Sequence, residues 1–174
     1  MTRNQSRQAS AARFSEQVRL FIAWADGSAS AERLSARVAL RRVLALYAAA
    51  LELPQPWSVG VSMQDAPPSP AAERVQAVRQ RAAAIPLQHY GEIFSPLLMP
   101  PEPPVVGDLA DDLVHIYRDV ALGQSLYEAG RCDDAIWQWG SGFQTHWGQH
   151  AASAIRALHC YLSQEDPSGL LSDT

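Results

Sequence analysis

An all-α, single-domain helical bundle is the fold class this sequence predicts, and three observations predict it. Strand signals are nearly absent, with no sustained period-two alternation and few β-branched runs, while the strong helix formers Ala, Leu, Arg and Gln are plentiful. Apolar residues recur at helical spacing in five separate stretches. A chain of 174 residues, 47% of them hydrophobic, is long enough to bury one sizeable core and short for two.

Taken in order, the opening "MTRNQSRQASAARFS" is polar and lacks the apolar run of a secretory signal, so residues 1–10 are expected to be a disordered N-terminus ahead of a helical domain over 11–163. Phe14, Val18, Phe21 and Ala25 form the first apolar stripe, and "ADGSAS" breaks it with turn formers. Leu40, Leu44, Tyr47 and Leu51 form the second, which Pro54 and Pro56 end because proline lacks an N–H and restricts the residue before it. Residues 54–70 read as a proline-rich loop. A third helix is expected from about Ala71 to Ile85, with Ala71, Val75, Val78 and Ala82 on one face. In the connector that follows, Tyr90, Ile93 and Phe94 are expected to form one short helical turn packed on the core. Asp108, directly after a glycine and followed by more acids, starts the next helix, whose apolar face is Leu109, Leu113, Ile116 and Val120.

The last helical region reads as one continuous helix from about Asp133 to Tyr161, with Gly140, Gly142 and Gly148 as candidate kinks. Its stripe is Ile136, Trp139, Phe143, Trp147, Ala154, Leu158 and Tyr161, and Trp139, Phe143 and Trp147 make a candidate aromatic pocket. Residues 164–174 are expected to be a flexible tail. Within this half, "LGQSLYEAGRCDDAIWQW" (Leu122 to Trp139) resembles a single tetratricopeptide unit: Leu122 and Gly123 match its Leu-Gly pair, Ala135 its small position and Trp139 its aromatic position. Asp119 and Trp147 depart from the pattern, and no second or third copy follows at that period. The resemblance therefore implies a tetratricopeptide-like helix hairpin and not a repeat array, since such repeats need stacked neighbours.

Charge and cysteine usage exclude several function classes. Fourteen Lys+Arg against eighteen Asp+Glu leave a formal charge of -4, which gives no global attraction to phosphate backbones or anionic lipid. The arginines at 37, 41, 42, 74, 79 and 81 read as solvated faces that pair with acids elsewhere in the chain. No stretch approaches the roughly 20 apolar residues that span a bilayer. Neither nucleic acid nor membrane is expected as a partner, and a cytoplasmic protein is. Cys132 and Cys160 are too few for a disulfide scaffold and fit a reduced compartment, although sequence alone does not decide whether they pair.

Two groups of polar residues are spaced for chemistry. On a helical wheel, Asp108, Asp112, His115 and Asp119 share a stripe roughly 60° wide, and carboxylates and histidine at i, i+3 and i+4 are what bundle metal sites use. An apolar stripe opposite an acidic one is also how any surface helix looks, and that is the reading favoured for this face. His150 falls within the apolar stripe of the last helix and His146 at its margin, so both are expected to be at least partly buried. Structural histidines with hydrogen-bond partners are the favoured reading, and a ligand or metal site the alternative. Trp147 stands where the zinc-protease signature requires glutamate, and no phosphate loop or nucleophile elbow is present.

"GDLADDLVHIYRD", "DAIWQW", "HWGQH" and "ALH" together resemble the bacterial family known as domain of unknown function 5063, from the first helix to about His159. "YGEIFSPL" is also similar, with Ser95 where the family pattern has an aspartate. The resemblance implies an all-α fold and a bacterial, cytoplasmic origin, and no activity. The leading functional reading is a non-catalytic helical module that binds a protein partner and needs no cofactor. The alternative is a metal-dependent or acid/base enzyme with a divalent metal, in which His146 and His150 meet carboxylates of the Asp108–Asp119 helix. The wheel argues against that meeting, because the Leu109 face should point inward. Sequence sets no oligomeric state.

Overall fold

Helix α4 (Leu109–Glu128) runs through the middle of the protein and packs against four other helices: α1 (Arg3–Asp26), α3 (Ala72–Ala82), α5 (Cys132–Thr145) and α6 (Trp147–Gln164). Helix α2 (Ala36–Ala50) lies across α1 and α6, a short 3-10 turn at Pro56–Ser58 abuts α5, and α7 (Pro167–Leu170) ends the chain against α6. The only sheet among the described residues is a two-stranded antiparallel ribbon, β1 (His89–Glu92) with β2 (Val105–Asp108). The fold is thus all-α, as the composition predicts. This computed structural model describes residues 2–29, 32–60, 62 and 69–171.

Local sequence explains most element ends. Thr2 and Gln5 form a reciprocal capping box that satisfies free amides at the start of α1. The expected disorder over 1–10 is therefore corrected: the helix begins at Arg3, and only residue 1 of that stretch lies outside the described residues. Gly27 closes α1 at φ 75°, a left-handed conformation that glycine adopts without steric cost. Ser35 caps α2 by accepting from the Val38 amide, and Asp108 caps α4 by accepting from the Ala110 and Asp111 amides.

The core follows four of the five predicted stripes and departs from the one on α2. Phe14, Val18, Phe21 and Ala25 are buried, as are Val75, Val78 and Ala82, the Leu109 face of α4, and Ile136, Trp139, Trp147, Ala154 and Leu158. Helix α2 instead buries Ala36, Ala39, Val43, Leu46 and Ala50, while Leu44 and Leu51 face solvent. Its alanines let α2 approach α1 and α6 closely, and close approach outweighs the larger leucines of the neighbouring stripe.

Three further expectations are corrected. Residues 90–94 form no helical turn, because Tyr90 lies in β1 and pairs with Gly107. The long last helix is two, α5 and α6, broken at His146 with φ -148° and ψ -84°. Gly148 makes this corner feasible, since a Cβ there would overlap the Phe143 carbonyl. The candidate aromatic pocket is filled: Trp139 and Trp147 are fully buried against Phe14, at ring separations of 4.9 and 6.1 Å, and Phe143 packs on Tyr47 and Trp147.

In the α4–α5 hairpin, the Trp139 indole covers Gly123 and donates to the Val120 carbonyl at 3.0 Å. The arginines pair largely as expected: Arg74 with Asp26, Arg79 with Asp111 and Arg42 with Glu32. Both cysteines are free thiols. Within the 54–70 loop, residues 61 and 63–68 lie outside the described residues, as do 172–174 of the expected tail. No helix among the described residues is long and apolar enough to cross a membrane.

Candidate metal centre

Where α4 crosses the α5–α6 corner, three imidazoles meet. His115 comes from the middle of α4, His146 from the corner itself and His150 from the first turn of α6. One ring nitrogen of each lies within 4.8 Å of those of the other two. The His115 and His150 rings are parallel, 4° apart with centroids at 4.5 Å, and His146 stands nearly perpendicular to both, at 5.1 and 5.0 Å.

Two of the rings are held by carboxylates of α4. Nδ1 of His146 donates to Asp119 at 2.7 Å, and Nδ1 of His150 donates to Asp112 at 2.9 Å. An ionised carboxylate can only accept, so Nδ1–H is the donor in both contacts, and in a neutral imidazole so held the lone pair lies on Nε2. The His115 ring has no hydrogen-bond partner among the described residues. Burial first, and then the two neighbouring histidines, hold His115 below its usual pKa and favour its neutral form.

Asp112 is itself oriented. The Tyr90 hydroxyl donates to its other oxygen, and burial raises the Asp112 pKa against the opposing hydrogen bonds of His150 and Tyr90. The tyrosine reaches so far because its ring lies over Gly107, where an added Cβ would fall 2.5 Å from the ring. Burial and the two adjacent carboxylates also push the Tyr90 phenol far up, so it remains a donor. Tyr90 contacts Glu92 as well, at 3.3 Å, and the Ser153 hydroxyl donates to Glu92. A chain of polar contacts therefore runs from Ser153 through Glu92, Tyr90 and Asp112 to His150, with the single Tyr90 proton directed at Asp112.

The chain and two of the imidazoles face a cleft of about 460 Å³, lined by His115, His150, Asp112, Glu92 and Ser153, with Phe94 and Val106 on its far side. The structure thus brings together five of the six polar residues singled out in the sequence: Asp112, His115, Asp119, His146 and His150. The Leu109 face is buried as the wheel predicts, yet the acidic stripe runs along the seam with α6, so the meeting that the wheel argued against takes place. Asp108 is not in the cluster, for its carboxylate is spent on capping α4 and lies 3.5 Å from His89. His146 is 45% exposed, more open than expected, because it sits at a helix break and not on a continuous stripe.

Sequence reasoning missed Tyr90, Glu92 and Ser153. The alternation of Tyr90 and Glu92 about Gly91, with Gly107 directly before the capping Asp108, is the signal that could have revealed a strand pair carrying two polar side chains to one face.

Residues 5–164 match the family model described as "Domain of unknown function (DUF5063)". The fold is similar to the crystal structure of protein BF1032 from Bacteroides fragilis, with a TM-score of 0.65 and 21% sequence identity over 84% of this chain and 91% of that one. That likeness concerns the fold alone. No curated protein matches the chain.

Proposed function

From a chain that belongs to the DUF5063 family, whose description carries no activity, we propose a metal-dependent protein that holds one divalent transition metal on His115, His146 and His150. The observation that carries this reading is the pair of carboxylate–histidine contacts, Asp119–His146 and Asp112–His150, beside a third imidazole with no hydrogen-bond partner among the described residues. Carboxylates on Nδ1 are the usual outer shell of metal-bound histidine, since they fix the tautomer and raise the basicity of the ligating nitrogen. Structural histidines need partners on their polar atoms; three imidazoles turned on one another, two with Nε2 free, satisfy each other poorly.

Three neutral nitrogen donors suit zinc, copper, nickel or iron(II) better than calcium or magnesium. Tetrahedral ligation at a Zn–N distance of about 2.1 Å needs nitrogens about 3.4 Å apart. The ring nitrogens lie within 4.8 Å of one another, so ligation requires them to draw together by up to about 1.4 Å. Three protein ligands leave a fourth position, and the cleft against which His115 and His150 lie gives it access to a small molecule. The reading therefore moves from the non-catalytic module that sequence alone favours to its metal-dependent alternative.

The test is metal titration of protein purified without a histidine tag. Zinc should bind at about one per chain with submicromolar affinity, and His115→Ala and His150→Ala should each abolish binding. Failure of the wild type to bind zinc, copper, nickel or iron(II) with a dissociation constant below about 100 micromolar would overturn the proposal.

A second reading, a protein-interaction module, is favoured by a different observation. The connector between β1 and β2 exposes Phe94, Leu97, Leu98 and Met99, with Leu97 94% accessible. A contiguous apolar surface of that kind commonly marks a contact site.

A further inference from the structure

Behind the wall made by Glu92 and Ser153 lies a second cavity of about 460 Å³, between β1, the start of the connector and the outer side of α6. Its walls are largely apolar and include Leu87, Ile93, Pro96, Ala157, Cys160 and Tyr161. Three charged side chains also line it, and they differ in state. Glu92 already accepts from Ser153 and lies beside the Tyr90 hydroxyl. Glu165 caps the far end of α6, nine residues beyond Arg156 and so about 13 Å along the helix axis. Arg156 makes no ion pair or hydrogen bond among the described residues, whereas Arg42, Arg74 and Arg79 are each paired with a carboxylate.

A guanidinium beside an apolar chamber in an acidic protein is a specific combination. Its planar fork matches a carboxylate with two parallel N–H donors, and the low-dielectric wall strengthens that pair relative to open water. The chamber has the size of ordinary small-molecule sites, which bury an apolar body and fix it with a few polar groups. The connector that supplies the lining residues Ile93 and Pro96 also carries the exposed Phe94, Leu97 and Met99. An apolar ligand entering there would cover surface that is now in water.

We propose that this cavity is a binding site for a small amphipathic carboxylate, its hydrocarbon body enclosed between β1 and α6 and its carboxylate on Arg156. The site is distinct from the histidine cluster and does not depend on a bound metal, although the two cavities share Glu92, Ile93, Pro96, Ala152 and Ser153 in their walls.

Cys160 supplies a local reporter, being a free, half-buried thiol on the cavity wall, and Cys132 on α5 serves as the internal control. Alkylation of both by iodoacetamide is followed by peptide mass spectrometry in the presence of decanoate. Decanoate should slow modification of Cys160 saturably, by roughly fivefold or more, and leave Cys132 unchanged. Acetate should protect poorly, because it lacks the apolar body, and decyltrimethylammonium should protect poorly, because it carries the wrong charge. Arg156→Gln, an exposed substitution, should weaken decanoate protection about tenfold, and Ala157→Phe should block it by filling the chamber, with zinc binding intact in both variants. Equal protection by the cationic amphiphile, or unaltered protection in Arg156→Gln, overturns the carboxylate assignment. Absence of Cys160 protection by decanoate overturns the site, whatever the outcome of the zinc titration.

Discussion

Asp112 and His150 are 38 residues apart in the chain and 2.9 Å apart in space, and their contact ties the middle of the fold to the candidate centre. Asp112 is buried, faces α6 from the seam of α4, and accepts from both His150 and Tyr90. Replacing it by asparagine keeps the shape and removes the charge. Asp112→Asn should leave the helical circular dichroism unchanged and weaken zinc binding by about 10–100-fold, measured by calorimetric titration, because His150 loses the charged acceptor that raises the basicity of its other ring nitrogen. Unaltered zinc affinity in a folded Asp112→Asn protein would show that the carboxylate does not support a ligand.

A second prediction concerns the α4–α5 hairpin. A methyl group at Gly123 would overlap the Trp139 indole, which is fully buried and hydrogen-bonded to Val120. The indole has nowhere to move, since Phe14 packs on its other side at 4.9 Å. Gly123→Ala should therefore destabilise the protein by about 1–3 kcal/mol in urea unfolding, despite the better helix propensity of alanine. A gain in stability would mean that helix propensity outweighs the clash.

How much of this was legible in the sequence can be argued from single residues. The Leu109 stripe and the acidic cap at Asp108 were readable, because a strong amphipathic period and an N-cap are local signals. The α2 face was not, since alanine and leucine stripes overlap there and only the packing against α1 and α6 chooses between them. The aspartates and histidines were readable as candidates, and their meeting was the alternative that the wheel argued against. A wheel assigns Asp112 and His115 to the side away from the core, but a helix packed on four neighbours has no simple outside, and its polar stripe lies in a seam. Tyr90 was hidden because its role depends on the register Tyr90↔Gly107, which no short-range signal sets.

The third prediction is a pH dependence. The Asp26 side chain is 1% exposed, and burial alone would raise its pKa. Hydrogen bonds from the Ser28 amide, from Arg74 and from the Tyr117 hydroxyl at 3.0 Å outweigh that and hold it below the usual carboxylate value. A folded-state pKa lower than the unfolded one gives stability that is fully present above the unfolded value, near pH 4, and is lost as pH falls through the folded one. Acid unfolding should accordingly steepen below about pH 4. Asp26→Asn should lower stability at pH 7 and flatten that acid limb, as seen by thermal melts between pH 2 and 7, a range of about five units chosen to bracket the transition. An acid limb identical in the variant and the wild type would remove Asp26 as its cause.

The final prediction separates a ligand from a structural histidine at the position where the two readings differ most. His146 sits at the corner between α5 and α6, is 45% exposed, and contributes little buried area. Among the described residues its ring hydrogen-bonds to Asp119, itself partly exposed, and surface pairs of that kind contribute roughly 0–1 kcal/mol. If the ring is structural, His146→Ala therefore changes little, with or without metal. As a ligand it behaves differently: zinc at about 100 times its dissociation constant stabilises a native-state site by about 2.7 kcal/mol. For a chain of this size that corresponds to roughly 5–10 °C in Tm. We expect the wild type to gain that shift and His146→Ala to match the wild type without zinc yet gain nothing with it. The same zinc-dependent rise in both proteins would remove His146 from the coordination sphere, and with it the three-histidine centre.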